Sequence, residues 1–157
     1  MSAEGLLLSC FFLSIVSALT PWVNGEVLLL TFSAFSDSPA HRAGLVLMAT
    51  AGQMTGKCLL YWAGRGVIPM KEGRLARVLH AWKGRFERDS TKTMALVFVS
   101  AVSGIPPFYV ITLLSGAFRI RFSRFIVVGA CGRVLHFGTL MLVPQIGRGL
   151  LHAIAHH

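Results

Sequence analysis

Four ionisable residues stand in or beside apolar runs, and their types suit a charged cavity better than a catalytic centre. Glu26 follows Asn24 and Gly25 at the break between two apolar arms, 5–20 and 27–36. A carboxylate at membrane depth is costly unless neutralised, paired or wetted. It would therefore couple to protons or cations, or anchor a cationic partner; the plainer reading is a cap on the arm that begins at Val27, where an acid is favoured. Arg133 lies in the middle of the last apolar run, with His136 three residues on and Gly129 four back, on one helical face. A buried arginine is paired or holds an anion such as phosphate. Lys57 shares a face with Gln53, Tyr61 and Gly64. These positions predict a Glu26–Arg133 pair, with Lys57 as the alternative partner of Glu26. A phosphate headgroup on Arg133 is the rival reading, and an interhelical clamp with no transport role is the structural one. Tyr109 would reach a headgroup or serve as an interfacial aromatic.

These groups need elements that hold them at depth. Residues 93–118, TMALVFVSAVSGIPPFYVITLLSGAF, are long enough to cross a bilayer, which takes about 20 apolar residues. Gly104, Pro106 and Pro107 interrupt them, and prolines remove backbone donors and clash with the preceding turn. Lys83, Arg85, Arg88 and Lys92 precede the run, and Arg119, Arg121 and Arg124 follow it. Basic flanks favour the cytoplasm, so a hairpin that enters and returns suits both clusters. Broken backbone at that depth survives only when buried in protein or lining a wet cavity. The first arms repeat the pattern around a Pro21–Glu26 break, with Pro21 and Gly25 at the tip. Each hairpin precedes a span, 43–64 and 125–145, and Gly52-x-x-x-Gly56 in the first permits close helix approach. Between the halves, Leu75, Val78, Leu79, Trp82 and Phe86 fall at helical spacing among Arg74, Arg77, Lys83, Arg85 and Arg88. Such a helix suits contact with anionic headgroups at a membrane surface, or packs its stripe on the protein.

The expected architecture is an all-α integral membrane protein of one domain, 1–157. A first repeat, 1–65, holds hairpin 5–36 and span 43–64. A basic cytoplasmic amphipathic helix, 66–92, leads to a second repeat, 93–148, with hairpin 93–118 and span 125–145; residues 149–157 form a tail. The composition, 54% hydrophobic and 13% charged with a mean hydropathy of +0.67, is that of a membrane protein. A net charge of +9 would suggest nucleic acid in a soluble chain; beside apolar segments it points to anionic lipid, and nucleic acid is not expected. Cys10, Cys58 and Cys131 lie in apolar stretches without Cys-x-x-Cys pairing and read as packing residues. His152 and His156 are four apart with no third ligand nearby, so neither a metal nor another cofactor is expected. The absence of Gly-x-Ser-x-Gly, a phosphate-cradling loop and His-Glu-x-x-His argues against an enzyme. Glu4 and the lack of Lys or Arg before the first apolar run argue against a signal peptide.

Sliding the sequence by 83 positions aligns Ser17-Ala18 with Ser100-Ala101, Val27 with Val110, Ala34-Phe35 with Ala117-Phe118 and Gly64-Arg65 with Gly147-Arg148. With the basic middle in the cytoplasm, the two hairpins would enter from opposite faces as an inverted repeat. Their broken elements would meet near the midplane, where transporters place their binding site. A second copy of so short a chain would help close the cavity, making a homo-oligomer an expectation.

Pro21…Gly25-Glu26-Val-Leu-Leu, followed by Gly52-x-x-x-Gly56-x-x-x-x-Tyr61-x-x-Gly64-Arg65, resembles the first half of DedA/VTT-domain membrane proteins. The run SGIPPFYVITLLSGAFRIRFSRFIVVGACGR resembles the second half, most like the short YqaA-like branch. The resemblance covers about residues 15–148 and implies two inward-facing re-entrant helices of inverted topology in a bacterial inner (plasma) membrane. It implies a role in moving lipids between leaflets, the undecaprenyl-phosphate carrier among them, and in proton-dependent membrane homeostasis. Glu26 falls on the acid of the family's Pro-Gly-Glu tip. Lys57 falls where many members carry an acid, and Ser103 to Pro107 replace the Arg-Phe-x-Pro-Gly-x-Arg tip of the better-known branch. These departures imply a different substrate, reliance on Arg133 and Lys57, or no transport. The leading expectation is passage of a phosphate-bearing lipid or related amphiphile between leaflets. A non-transporting scaffold and a small-solute or ion transporter are the alternatives.

Overall fold

A computed structural model describes residues 3–20, 23–36, 38–67, 81–82 and 90–155, with side chains from 4 to 142. Among these, every regular element is a helix: α1 (Ala3–Leu19), α2 (Gly25–Ala34), α3 (Pro39–Val67), α4 (Thr91–Ser103), α5 (Phe108–Ala117) and α6 (Phe122–Ala155). The breaks fall where the sequence places them. Pro21, the basic residues Arg74, Arg77, Lys83, Arg85 and Arg88, and the side chains of the histidine tail lie outside the described residues. Trp82 packs, half-buried, against the second half of the bundle.

Local chemistry sets each break. Asn24 caps α2, its side chain accepting from the Glu26 N–H at 2.9 Å, which leaves Glu26 in the first turn with its carboxylate free for another partner. Ser90 caps α4 by accepting from the Thr93 N–H. Gly104 ends α4 in the left-handed region, φ 73°, where a side chain would be strained, and returns its N–H to Ser100. The Ser100 hydroxyl then donates to the Pro106 carbonyl at 2.6 Å, folding the tip back on α4. Ten-residue helices such as α2 and α5 extend only about 15 Å.

The two halves make matching contacts. A Cβ on Gly56 of α3 would sit 2.5 Å from the Cβ of Ala18 in α1, and one on Gly132 of α6 would sit 2.6 Å from that of Ala101 in α4. The start of α2, Gly25, presses on the Gln53 amide; the start of α5, Phe108, presses on Gly129. Gly52 meets the Phe11 carbonyl of α1, so both glycines of the α3 motif serve close approach to that helix. Gly64 and Gly116 bring α3 and α5 into backbone contact, because a Cβ on either would overlap the carbonyl of Leu113 or of Tyr61.

Two apolar clusters result. One gathers Tyr61, Val97, Phe108, Ile111 and Phe125; the other gathers Leu6, Cys10, Leu29, Leu45 and Phe137. Gln53 of α3, and Arg133 and His136 of α6, fall between residues of the two clusters along each helix, and Lys57 follows one turn after Gln53. Among the described residues one helical stretch, Phe122–Leu142, is long and apolar enough to cross a membrane. The other expected span, 43–64, is helical throughout, but α3 carries Arg42, Gln53, Lys57 and Arg65 and does not reach that apolarity.

Close approach at Gly116 makes a specific demand. Gly116→Val should lower stability by about 1–3 kcal/mol, seen as a fall in melting temperature in detergent. Gly66→Ala, whose new Cβ would meet nothing within 4 Å, should be neutral or stabilising.

Candidate functional site

A polar cavity of about 220 Å³ lies between the clusters, lined by Ser17, Asn24, Glu26, Gln53, Lys57 and Arg133 among others. Four separate elements and the turn before α2 build it, which explains why spacing within one helix could not reveal it.

The ends of the broken helices determine who sits there. The last four carbonyls of a helix have no partner within it. At the end of α1, Lys57 reaches from α3 and donates to the Ala18 carbonyl at 3.0 Å. At the end of α4, His136 of α6 bonds the Val102 carbonyl through Nδ1 at 2.5 Å. The residue that would serve Val102 in a continuous helix is four positions on, at Pro106, which has no N–H. The proline break thus creates the acceptor that the histidine occupies.

That bond fixes the histidine's chemistry. A carbonyl only accepts, so Nδ1 must carry a proton. The other nitrogen, Nε2, lies 2.9 Å from Glu26 Oε1. A lone pair facing a carboxylate would be two acceptors without a proton, so one further proton lies between them. It sits on Glu26 as a carboxylic acid beside neutral imidazole, or on Nε2 as imidazolium beside carboxylate. His136 is largely buried at 15% exposure, whereas Glu26 is 45% exposed and open to the cavity. The chain Glu26–His136–Val102 joins α2, α6 and α4, tying the first hairpin to the second.

The pairing differs from expectation: Glu26 bonds His136, not Arg133 or Lys57. Arg133 is held by aromatic faces, its guanidinium carbon 5.0 Å from the Phe108 ring centre and 5.6 Å from that of Phe137. These cation–π contacts orient the charge and leave its buried Nε without a hydrogen-bond partner. Lys57, only 4% exposed, lies 5.6 Å from the Tyr109 ring and 5.9 Å from that of Phe108. It spends one of its three N–H donors on Ala18. Gln53 donates to Ser17 at 3.1 Å, and its buried Oε1 is unpartnered. The cavity therefore offers two basic side chains and an amide with hydrogen-bonding capacity to spare.

The structure brings together Glu26, Asn24, Lys57, Arg133, His136, Gln53 and Gly25, with Tyr109 flanking. Tyr61 is elsewhere: fully buried, stacked on Phe125, its hydroxyl donating to the Ile120 carbonyl and accepting from Arg65. Gly104, Pro106 and Pro107 form the second tip, Pro107 standing as the residue before α5. The sequence reading missed Ser17, Thr20, Val23 and Phe137 in the cavity wall, and Ala18 and Phe108 beside its basic groups. For three of them the signal was positional: Ser17 and Ala18 end a helix before a proline, and Phe108 follows one.

The shared proton separates two substitutions. Glu26→Gln keeps a donor for Nε2 and should leave the melting temperature nearly unchanged. Glu26→Leu leaves Nε2 unpaired and should cost about 1–3 kcal/mol. Nitrogen-15 spectra of histidine-labelled protein should show His136 protonated at Nδ1 in both wild type and Glu26→Gln; a bare Nδ1 would refute the assignment.

No curated protein and no solved structure matches the chain. The family model of the VTT domain matches residues 9–143, a stretch that reaches into every helix contributing to the cavity and contains all of its charged side chains. The chain belongs to the VTT-domain, or DedA, family of membrane proteins.

Proposed function

We propose that this protein lets a phosphate-bearing lipid, or a related amphiphile, change leaflets, with the polar cavity receiving its headgroup. The observation that carries the reading is the convergence of Lys57 and Arg133, from two long helices, on one cavity where both retain unused donors. Lysine and arginine suit a phosphate, and a partly buried setting strengthens each contact. Anionic lipid is thus the partner, and Glu26 with His136 is the group that gates or couples the movement.

The same reading makes the chain an inverted repeat of a re-entrant hairpin and a spanning helix. Three things support it. The helices α2 and α5 are too short to cross about 30 Å of hydrocarbon. The element order α1–α2–α3 recurs as α4–α5–α6. The contact pairs correspond as well: Ala18 with Gly56 and Ala101 with Gly132, Gly25 with Gln53 and Phe108 with Gly129. Hairpin residues correspond at a shift of 83 (101 − 18) and long-helix residues at 76 (132 − 56). On the second shift Lys57 corresponds to Arg133, so the two cations are counterparts across the repeat. A basic segment on the cytoplasmic side of a bacterial plasma membrane completes the proposed topology, with pairing to a second copy as a way to close the cavity.

One observation favours a second reading. The Glu26–His136 and Lys57–Ala18 bonds each join separate elements, as they would in a scaffold that transports nothing.

Leaflet exchange of a fluorescent phosphate-bearing lipid in liposomes decides between them. Wild type should accelerate exchange. Lys57→Met and Arg133→Met should each slow it by roughly tenfold or more, the worth of a charge-assisted hydrogen bond. Exposed Lys92→Gln should not. Exchange that is unaccelerated by wild type, or indifferent to both cavity substitutions, rules out the transport reading.

A further inference from the structure

A second site lies outside the cavity, on the seam between the first half of α3 and the later part of α6. It is a groove of about 420 Å³ lined by Val46, Leu47, Val134, Gly138 and Met141, with Arg42 the only charged residue among the described residues of its wall. That volume falls in the range of small-ligand sites. From Val134 to Leu142 the α6 wall runs about 12 Å.

Three features give the groove a chemistry. Its walls are hydrocarbon, and Leu47 and Leu142 at its rim are 61% and 56% exposed. A Cβ on Gly138 would meet nothing within 4 Å, so the floor there is open. Arg42 is aimed rather than free: its Nε donates to the Ser36 carbonyl at 3.1 Å. That bond uses one donor and leaves the Nη hydrogens without an acceptor among the described residues. Arg42 and Val46 stand one turn apart on one face of α3, so the charge continues the apolar wall. A slot for hydrocarbon ending in an oriented guanidinium complements an amphiphile with an anion at one end.

We propose that this groove binds one acyl chain of an anionic phospholipid whose phosphate sits on Arg42. The inference rests on the chain's membership of a membrane family and not on the transport reading, since the groove shares no lining residue with the cavity. A neutral annular lipid would fill the slot equally well without using Arg42. A second copy of the chain would need to match a lone cation at one end of an otherwise apolar slot. Anionic lipid satisfies both walls and charge. One arginine near a membrane surface favours anionic over zwitterionic lipid by roughly fivefold.

Quenching by brominated lipid tests the site. Leu47→Trp places a reporter at the rim, and the parent protein supplies the background from native tryptophans. The full chain is reconstituted into vesicles containing brominated phosphatidylglycerol or brominated phosphatidylcholine. Half-maximal quenching of the introduced tryptophan should need roughly fivefold less of the anionic lipid. Adding Arg42→Gln should erase that difference. Adding Gly138→Leu, which fills open space, should weaken quenching by both lipids while the circular dichroism stays unchanged. Equal quenching by the two lipids, a preference that survives Arg42→Gln, or no quenching by either because a second copy covers the groove, would each overturn the proposal. Leaflet exchange measured on the same variants separates this outcome from that of the transport reading.

Discussion

A helix that stops inside a bundle leaves carbonyls without a partner in the helix, and among the described residues the ends of α1 and α4 present such carbonyls to side chains of the long helices. An unmet carbonyl there costs a large part of a hydrogen bond. The donors must come from side chains long enough to cross from a neighbouring helix. Here they are Lys57 for Ala18 and His136 for Val102, and basic groups also suit the negative end of a helix dipole. Capping the breaks therefore brings positive groups into the centre of the bundle. The acid and aromatic faces follow as compensation: Glu26 on His136, Phe108 and Phe137 around Arg133, Tyr109 near Lys57. The cavity is the consequence of breaking helices inside the bundle; Lys57 owes its place there to capping one break, while Arg133 is held by the rings around it.

The two halves solve the same packing problem with exchanged sizes. Where the first half sets Gly25 against Gln53, the second sets Phe108 against Gly129. The glycine packs directly on the amide and so puts polar groups beside the first tip, whereas an aromatic ring covers the glycine at the second. The cavity accordingly opens beside Asn24, Gly25 and Glu26 at the first tip, while the second tip is plugged by a ring. That ring has a second role as one wall of the Arg133 sandwich. Asymmetry at a pair of matched positions thus decides which hairpin borders the site.

Much of this was legible. Polar residues inside apolar runs identified Glu26, Gln53, Lys57, Arg133 and His136, because burial of such groups needs a reason. Prolines and glycines marked both tips. The pairing was not legible, since helical periodicity says which residues share a face and nothing about the facing helix. Glu26 was expected on Arg133, yet the proton and the geometry belong to His136, one turn away. Pro106 held the missing signal: a proline four residues after Val102 announces a free carbonyl. Tyr61 shares a face with Lys57 in sequence, but the α3–α5 glycine contact carries that turn into the core, where its hydroxyl serves Ile120. The ungapped shift of 83 fitted the hairpins and failed in the long helices. Matching positions there are seven residues short of it, two full turns, which preserves the face and hides the match.

The proton between Glu26 and His136 bears on which ligand the cavity favours. With one proton the pair is neutral overall, whether the proton rests on the carboxylate or on the imidazole. The histidine answers the acid, so the pair adds no net charge beside Lys57 and Arg133. The field in the cavity is left to Lys57 and Arg133, one from each long helix, both oriented by rings that contribute no net charge. Such a field attracts an anion and repels a cation. A free carboxylate in the same place would have offered a cationic solute its counter-ion. The histidine, present to cap a helix broken by proline, is thereby consistent with the anionic headgroup proposed for the site.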